Sequence, residues 1–166
     1  MKKFLLVFLI LGITAPLMAQ DIELSEVVVT PANYKYLTAV DNQEAAVPVK
    51  LLEQKVANYD LMHSDIYDDS YATYTVSFYI PEGKIVAAYD GEGNIIRTIE
   101  RFDNTKLPDA VRDAVVERFP NWIMADNSFR VTYHNKKGVN HKGYKITLKN
   151  GDQVLKVKVD ADGNFM

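Results

Sequence analysis

The second half of the chain repeats its first half, and this duplication constrains the fold more than any single motif. Residues 74–96 align with residues 144–166 at a constant offset of 70 residues and without a gap, so that Phe78 lies over Leu148. Both copies contain a five-residue stretch with Asp first, Gly fourth and Asn last, at residues 90–94 and 160–164. A repeated unit buries its apolar face against its neighbour, so the chain is expected to form two similar units packed together.

The first 19 residues have the order of a secretory signal peptide. Lys2 and Lys3 form a basic start, residues 4–13 are an apolar run broken by Gly12, and the small residue Ala19 precedes Gln20. A membrane anchor is the alternative, but the run is shorter than the roughly 20 apolar residues that span a bilayer. We expect cleavage after Ala19, a periplasmic or secreted protein, and no membrane span in the mature chain.

Composition narrows the class of protein further. The chain has no cysteine, which excludes disulfide bonds, thiolate metal sites and lipid attachment through cysteine. Without residues 1–19 it has 147 residues, the size of one domain, and its formal net charge changes from −3 to −5. An acidic chain gives no general reason to expect nucleic-acid binding. We therefore expect one exported domain that is stabilised by core packing and binds no nucleic acid.

Two stretches have the spacing of amphipathic helices. Their apolar residues are Val49, Leu52, Val56 and Tyr59 in the first and Leu107, Val111, Ala114, Val115 and Phe119 in the second. Each begins at a hydrophobic residue followed by proline, which suits a first helical turn, and Pro120 ends the second. The helices are offset by 60 residues rather than 70, so about ten extra residues are expected in a loop at residues 134–142.

Period-two alternation of apolar and polar residues follows each helix and predicts strands. The alternating stretches lie at residues 73–80, 85–89, 95–102, 129–134, 144–148 and 155–159. Such alternation buries one face of a sheet, and the helices are its natural cover. The sequence predicts an α+β fold of tandem helix-then-antiparallel-strand repeats, about residues 47–102 and 107–166, which join into one antiparallel sheet with two helices on one face.

Residues 20–46 form an N-terminal segment before the two repeats. Residues 27–30 have strong β propensity, and Pro31 is expected to end a strand there. This stretch is a candidate edge strand of the domain; the alternative is a free extended segment that pairs with the sheet edge of a partner.

The region of the second helix resembles the PepSY-like family, which is described as beta-lactamase-inhibitor-like (BLIP-like) and exported by Bacteroidetes-type bacteria. The pattern is Leu107-Pro108-x-Ala110-Val111-x-x-Ala114-Val115-x-x-x-Phe119-Pro120-x-Trp122, followed by a strand that ends in the Asp-Gly-Asn stretch. The resemblance covers about residues 47–166. It implies a tandem repeat with a curved sheet, helices on one side and an open concave face on the other, and it brings no catalytic residues.

Motifs for catalysis or metal binding are missing from the sequence. There is no cysteine nucleophile, no Gly-x-Ser-x-Gly elbow, no His-Glu-x-x-His pair and no glycine-rich phosphate loop. The stretches at residues 90–94 and 160–164 lack the remaining ligands of a calcium loop and are interpreted as turns. The acidic loop of His63, Asp65, Asp68 and Asp69 is interpreted as solvated. We expect no enzyme, no cofactor and no metal site.

The solvent-exposed face of the predicted sheet carries the candidate binding residues. In the second repeat, five cations alternate with the buried residues: Arg130, Lys145, Lys149, Lys156 and Lys158. The same phase of the first repeat is neutral and includes Tyr79. These six residues are the candidate partner-binding face, because clustered cations attract acidic partners. The alternative is that the lysines only solvate an exposed strand face.

The sequence therefore favours an exported, non-catalytic protein that binds an envelope protein, a peptide or an acidic polymer through its open sheet face. An inhibitor or regulator of an envelope hydrolase, of protease or lactamase type, is the alternative. A third alternative is a small-molecule or metal binder, whose ligand would raise its thermal stability.

Overall fold

Within residues 30–41 and 43–166, six antiparallel strands lie side by side in the order in which they follow one another in the chain. The computed structural model describes residues 30–41 and 43–166. The strands are β1 (Thr73–Ile80), β2 (Gly83–Asp90), β3 (Ile95–Asp103), β4 (Ile123–His134), β5 (Gly138–Asn150) and β6 (Gln153–Asp160). The helices are α1 (Pro31–Val40), α2 (Val47–Ala57) and α3 (Asp109–Arg118). The predicted α+β fold with one antiparallel sheet is confirmed.

The duplication is visible in the pairing of the strands. The eight residue pairs of β1 with β2 recur, each shifted by 70 residues, as the eight pairs of β5 with β6. The turns that follow also match. The N–H of Asp90 donates to the carbonyl of Asn94 and that of Asp160 to the carbonyl of Asn164, both at 2.9 Å. Each repeat therefore contains its own copy of the same hairpin and of the same turn.

The ten extra residues of the second repeat do not form the predicted loop at residues 134–142. They lengthen a hairpin instead: β4 has 12 residues and β5 has 13, and only residues 135–137 separate them. Alternation continues to the turn, where Val139 pairs with Tyr133, so the extra chain gains ladder hydrogen bonds. Residues 58–72 of the first repeat contain no strand at the corresponding place after the helix.

One face of the sheet packs against the helices and forms the core. Its buried side chains include Phe78, Ile85, Tyr89, Phe102, Phe129, Val131, Ile146, Leu148 and Val159. Leu52 of α2 and Val111 and Val115 of α3 lie in the same apolar cluster as these sheet residues. The two predicted helices thus exist and cover one face, as predicted.

Helix α1 was not predicted. The Thr30 hydroxyl accepts a hydrogen bond from the Asn33 N–H at 3.2 Å, and Pro31 stands in the first turn, so a helix begins at Pro31. The described part of the 20–46 segment is therefore largely helical and adds no edge strand. Residues 1–19 of the predicted signal peptide and residues 27–29 of the predicted strand lie outside the described residues.

Helix α1 is anchored by a buried amide. The Asn33 side chain donates to the carbonyl oxygens of Ala57 at 3.1 Å and Gly93 at 3.2 Å, and it accepts from the Ile95 N–H at 2.8 Å. It thereby joins α1 to the end of α2 and to the turn between β2 and β3. None of the helices in the described part of the chain is long and apolar enough to cross a membrane.

Candidate functional site

The face of the sheet opposite the helices, called here the open face, carries all six candidate residues. The strand register places them there: Lys145 stands opposite Lys158, Arg130 opposite Gly143, and Tyr79 opposite Lys84. Each candidate is exposed: Tyr79, Arg130, Lys145, Lys149, Lys156 and Lys158. The alternation in the sequence therefore assigned the correct face to every one of them.

Four of the six candidates come together on three adjacent strands. Arg130 lies on β4, Lys145 on β5, and Lys156 and Lys158 on β6. Arg101 on β3 stands directly opposite Arg130 and extends the group by one strand. These five residues are called the cationic patch. Arg101 was missed because the sequence did not show that β3 and β4 are neighbours.

The other two candidates lie apart from the patch. Lys149 is at the far end of β5, between the exposed side chains of Ile123 and Val154. Tyr79 is on the edge strand β1, three strands from Arg130, which corresponds to about 14 Å at the usual strand spacing. The structure thus brings four of the predicted residues into one site and leaves two at its margins.

The charges of the patch are poorly compensated. Arg101 pairs with Asp103 at 3.2 Å. Among residues 30–41 and 43–166, no carboxylate lies within 4.0 Å of the charged nitrogens of Arg130, Lys145, Lys156 or Lys158. Like charges directly opposite one another destabilise a sheet, and both Lys145–Lys158 and Arg101–Arg130 are such pairs. A bound anion would remove this repulsion.

The first repeat shows that the hairpin does not need these charges. The positions equivalent to Lys145 and Lys158 are Thr75 and Ala88, which pair in the same register. Two hairpins with one geometry therefore carry different open faces. The two lysines are therefore not required for the hairpin to form, and they change only the charge of its exposed surface.

The half of the open face near β1 combines exposed apolar side chains with the exposed cations Lys84 and Arg97. Val86 stands opposite Ile99, whose side chain is 45% exposed, and Tyr79 is 67% exposed. These side chains adjoin the cationic patch, since Ile99 and Arg101 are two residues apart on one strand. The open face thus combines apolar contact area with positive charge.

Two recesses lie within the patch. The small recess has a volume of about 210 Å³ and is lined by Ser128, Arg130, His141, Gly143, Lys145 and Lys158, among others. The large recess, about 440 Å³, includes Arg101, Asp103, Asp126, Lys145 and Lys156. Ser128, Arg130 and Lys145 line both and separate them. The small recess is more uniformly cationic, because the large one includes two carboxylates.

A second polar cluster is buried beneath the helices and was missed in the sequence. Glu100 on β3 is 1% exposed and Glu53 on α2 is 5% exposed. The Tyr36 hydroxyl and the Thr98 hydroxyl donate to Glu100 Oε1 at 2.9 and 2.7 Å. Glu100 Oε2 accepts no hydrogen bond in the described structure. A protonated Glu53 carboxyl group would supply a donor for the Glu100 carboxylate.

Burial governs the ionisation of this pair. It raises the pKa of the Glu53 carboxyl, and the charge of Glu100 raises it further. Burial likewise raises the pKa of Glu100, while hydrogen bonds from Thr98 and Tyr36 oppose the rise. Two adjacent carboxyl groups in a core hold one proton between them. Because both are almost fully shielded from solvent, we assign the pair a role in helix packing rather than substrate contact.

Some carboxylates in and beside the acidic loop, and those that open the two turns, accept hydrogen bonds from nearby residues. Asp60 interacts with His63 at 2.9 Å, and the Ser70 N–H donates to Asp68 at 2.9 Å. The Asp160 carboxylate accepts from the N–H and the side chain of Asn164, which lowers its pKa. In the part of the chain that is described, no group of three or more His, Asp or Glu residues is arranged to hold a metal ion.

Comparisons with known proteins give a distant likeness. No family model matches the chain, and no curated protein matches it. Among solved structures, it is similar to a BLIP-like protein from Bacteroides fragilis, with 14% identity, 86% of each chain covered and a TM-score of 0.32. The description of this structure thus contains the BLIP-like part of the resemblance. The comparison gives no support for the PepSY-like family. At this distance nothing about function follows from the likeness.

Proposed function

We propose that this is an exported, non-catalytic binding protein that holds an acidic segment of a partner protein on its open face. The cationic patch carries the proposal, because four of its five cations lack a nearby carboxylate in the described structure while the whole chain has a formal net charge of −3. A patch of this sign steers an acidic partner and fixes its orientation. Export rests on the signal-peptide pattern, and the absence of catalysis rests on the missing motifs.

The apolar side chains of the open face favour a protein over a purely anionic polymer. Tyr79, Val86 and Ile99 offer aromatic and aliphatic contact area beside Arg101 and Arg130. Protein interfaces are enriched in aromatic residues and arginine at their centres, with charged residues at the rim. A polymer that carried only charges would leave these apolar side chains without a partner.

The proposal is tested by photo-crosslinking in the native envelope. A photoreactive residue at Thr132, which lies on the open face between Ile99 and His141, should capture a protein through an acidic segment. The same residue at Lys55, exposed on α2, is the positional control and should not capture that protein. A crosslink from Thr132 to a basic or neutral segment would contradict the proposal.

Charge reversal supplies the second arm of the experiment. Changing Lys145, Lys149, Lys156 and Lys158 to glutamate should abolish capture with little change in melting temperature, because all four side chains are exposed. The matched control reverses four exposed lysines elsewhere: Lys55, Lys106, Lys136 and Lys137. Both variants change the net charge equally, so capture that survives the first reversal would reject the open face as the site.

Inhibition of an envelope hydrolase differs from simple binding only in the nature of the partner. If the captured protein is a protease or a lactamase, its activity should fall when the purified chain is added. Unchanged activity at saturating concentration would leave binding without inhibition.

A further inference from the structure

Of the two recesses in the cationic patch, the small one is lined by cations and by no aspartate or glutamate. Arg130, Lys145 and Lys158 line it from three adjacent strands, and Ser128 also lines it. We infer that this recess is a binding subsite for one oxyanion group, a carboxylate or a phosphate, carried by the ligand of the open face. The inference rests on the proposed function and names the anchoring point within that site.

The donors in the recess match an oxyanion in number and type. The planar guanidinium of arginine can donate two parallel hydrogen bonds to a carboxylate or a phosphate, and each lysine adds a point charge. The Ser128 hydroxyl is buried and has no hydrogen-bond partner in the described structure. A buried hydroxyl without a partner is unfavourable, so an anion that accepts from it would satisfy the group.

Gly143 lets the Met166 side chain pack against β5 at the wall of the recess. A Cβ atom at Gly143 would lie 2.6 Å from Met166 Cε and 3.0 Å from the carbonyl oxygen of Val159. The equivalent residue of the first repeat is Thr73, which pairs with Asp90 as Gly143 pairs with Asp160. A side chain at residue 143 would therefore displace Met166, which lines the recess, whereas the first repeat accommodates the exposed side chain of Thr73.

Volume and charge separate the small recess from the large one. About 210 Å³ is below the range of roughly 300–1,000 Å³ typical of sites for whole small molecules, so it suits a single group. The large recess contains Asp103 and Asp126, which repel an anion. An acidic segment would therefore place one anionic group in the small recess and lie across the remaining face.

The test is an NMR titration of the purified chain with two probes used separately: N-acetylglutamate amide for a carboxylate and inorganic phosphate for a phosphate. At least one should shift the amide signals of Ser128, Gly143 and Lys145 saturably. Arg130→Gln and Lys145→Gln should each weaken binding about tenfold, as expected for loss of a charge-assisted hydrogen bond. The probe that binds more tightly identifies the source of the oxyanion.

Lys55→Gln is the matched control, because Lys55 is exposed on α2 and does not line the recess. It should leave the affinity unchanged. Shifts that spread over all surface lysines, or affinity that survives Arg130→Gln and Lys145→Gln, would overturn the subsite.

If the recess takes neither probe while Thr132 still captures an acidic segment, the subsite is wrong and the proposed function stands. If phosphate or carboxylate binds in the recess but Thr132 captures no acidic partner, the subsite stands and the proposed function falls.

Discussion

Glu53 and Glu100 bring two carboxyl groups into the core, where the helices meet the sheet. Lys142 compensates them in part: its charge lowers the pKa of Glu53, although its ammonium donates to the carbonyl oxygens of Val40 and Asp41 at 3.0 and 2.7 Å. Burial lowers the pKa of Lys142 itself. The cluster therefore couples proton binding to the packing of α1 and α2 on the sheet.

The pKa of Glu53 is raised in the folded state, so the folded chain binds more protons than the unfolded chain above pH 4.5, the ordinary value. The associated stability is present below that pH and is lost as the pH rises through the folded value. Glu53→Gln keeps a donor for Glu100 without a titrating group. It should raise the free energy of unfolding by on the order of 2 kcal/mol at about pH 8 and little at about pH 4.

Urea denaturation at both pH values measures this effect. Glu117→Gln is the control, since Glu117 is an exposed glutamate of α3 and its replacement changes the charge equally. Parallel pH profiles for the wild type and Glu53→Gln would show that Glu53 is not protonated in the folded core.

The duplicated turns offer a comparison between two glycines with similar backbones. Gly93 has φ of 78° and Gly163 has φ of 91°, so alanine is strained at both. A Cβ at Gly163 would lie 2.8 Å from the carbonyl oxygen of Ala110 in α3, whereas at Gly93 the nearest atom is Leu61 Cβ at 3.8 Å. Gly163→Ala should therefore destabilise the fold by about 1–3 kcal/mol more than Gly93→Ala in chemical denaturation. Equal losses would mean that α3 moves away from the turn without cost.

At the scale of elements, α1 depends on Asn33 for its attachment. Asn33→Ala should lower the free energy of unfolding by about 2–4 kcal/mol, because buried backbone groups of α2 and of the β2–β3 turn lose their partner. Thr38→Ala, at an exposed position of the same helix, should cost much less. Equilibrium urea unfolding of both variants tests this, and equal costs would contradict the anchoring role of Asn33.

The β5–β6 hairpin should tolerate the residues of its counterpart. Lys145→Thr combined with Lys158→Ala reproduces the Thr75–Ala88 pair of the first repeat and removes a repulsive pair. Its free energy of unfolding should be at least that of the wild type, with a gain of up to about 0.5 kcal/mol at low salt. The gain should be smaller at high salt, which screens the repulsion. A clear loss of stability would show that the two lysines contribute to the fold itself.

The elements that the sequence predicted are those whose own alternation defines them. The β1–β2 and β5–β6 hairpins follow from period-two patterns and from the duplication, and the phase of each strand located the exposed lysines. Helix α1 was missed because residues 27–30 have β propensity and the buried position 33 is an asparagine, which interrupts the apolar stripe of Tyr36 and Val40. Its burial depends on partners from α2 and β3, which no local pattern shows.

The same limit applies to the sites. Lys145 and Lys158 could be placed together because one hairpin holds both, whereas Arg101 joins them only through the pairing of β3 with β4. The buried cluster draws Tyr36, Glu53 and Glu100 from three elements that are distant in sequence. Contacts between distant elements depend on how the helices are arranged over the sheet, and the sequence did not specify that arrangement.

At the scale of the whole molecule, charge is unevenly distributed: an acidic chain presents a cationic patch on one face. Fields from such patches act over about a Debye length, roughly 10 Å at 0.1 M salt, so the patch can attract an anionic surface at close range despite the net charge.

The chain should therefore be retained on a sulfonate resin at low ionic strength and neutral pH. Replacing Arg130, Lys145 and Lys158 with glutamine should abolish retention. Replacing Lys55, Lys106 and Lys136 with glutamine, which alters the net charge equally at exposed positions, should not. Equal loss of retention in both variants would mean that net charge, and not the arrangement of the open face, governs how this protein meets an anionic surface.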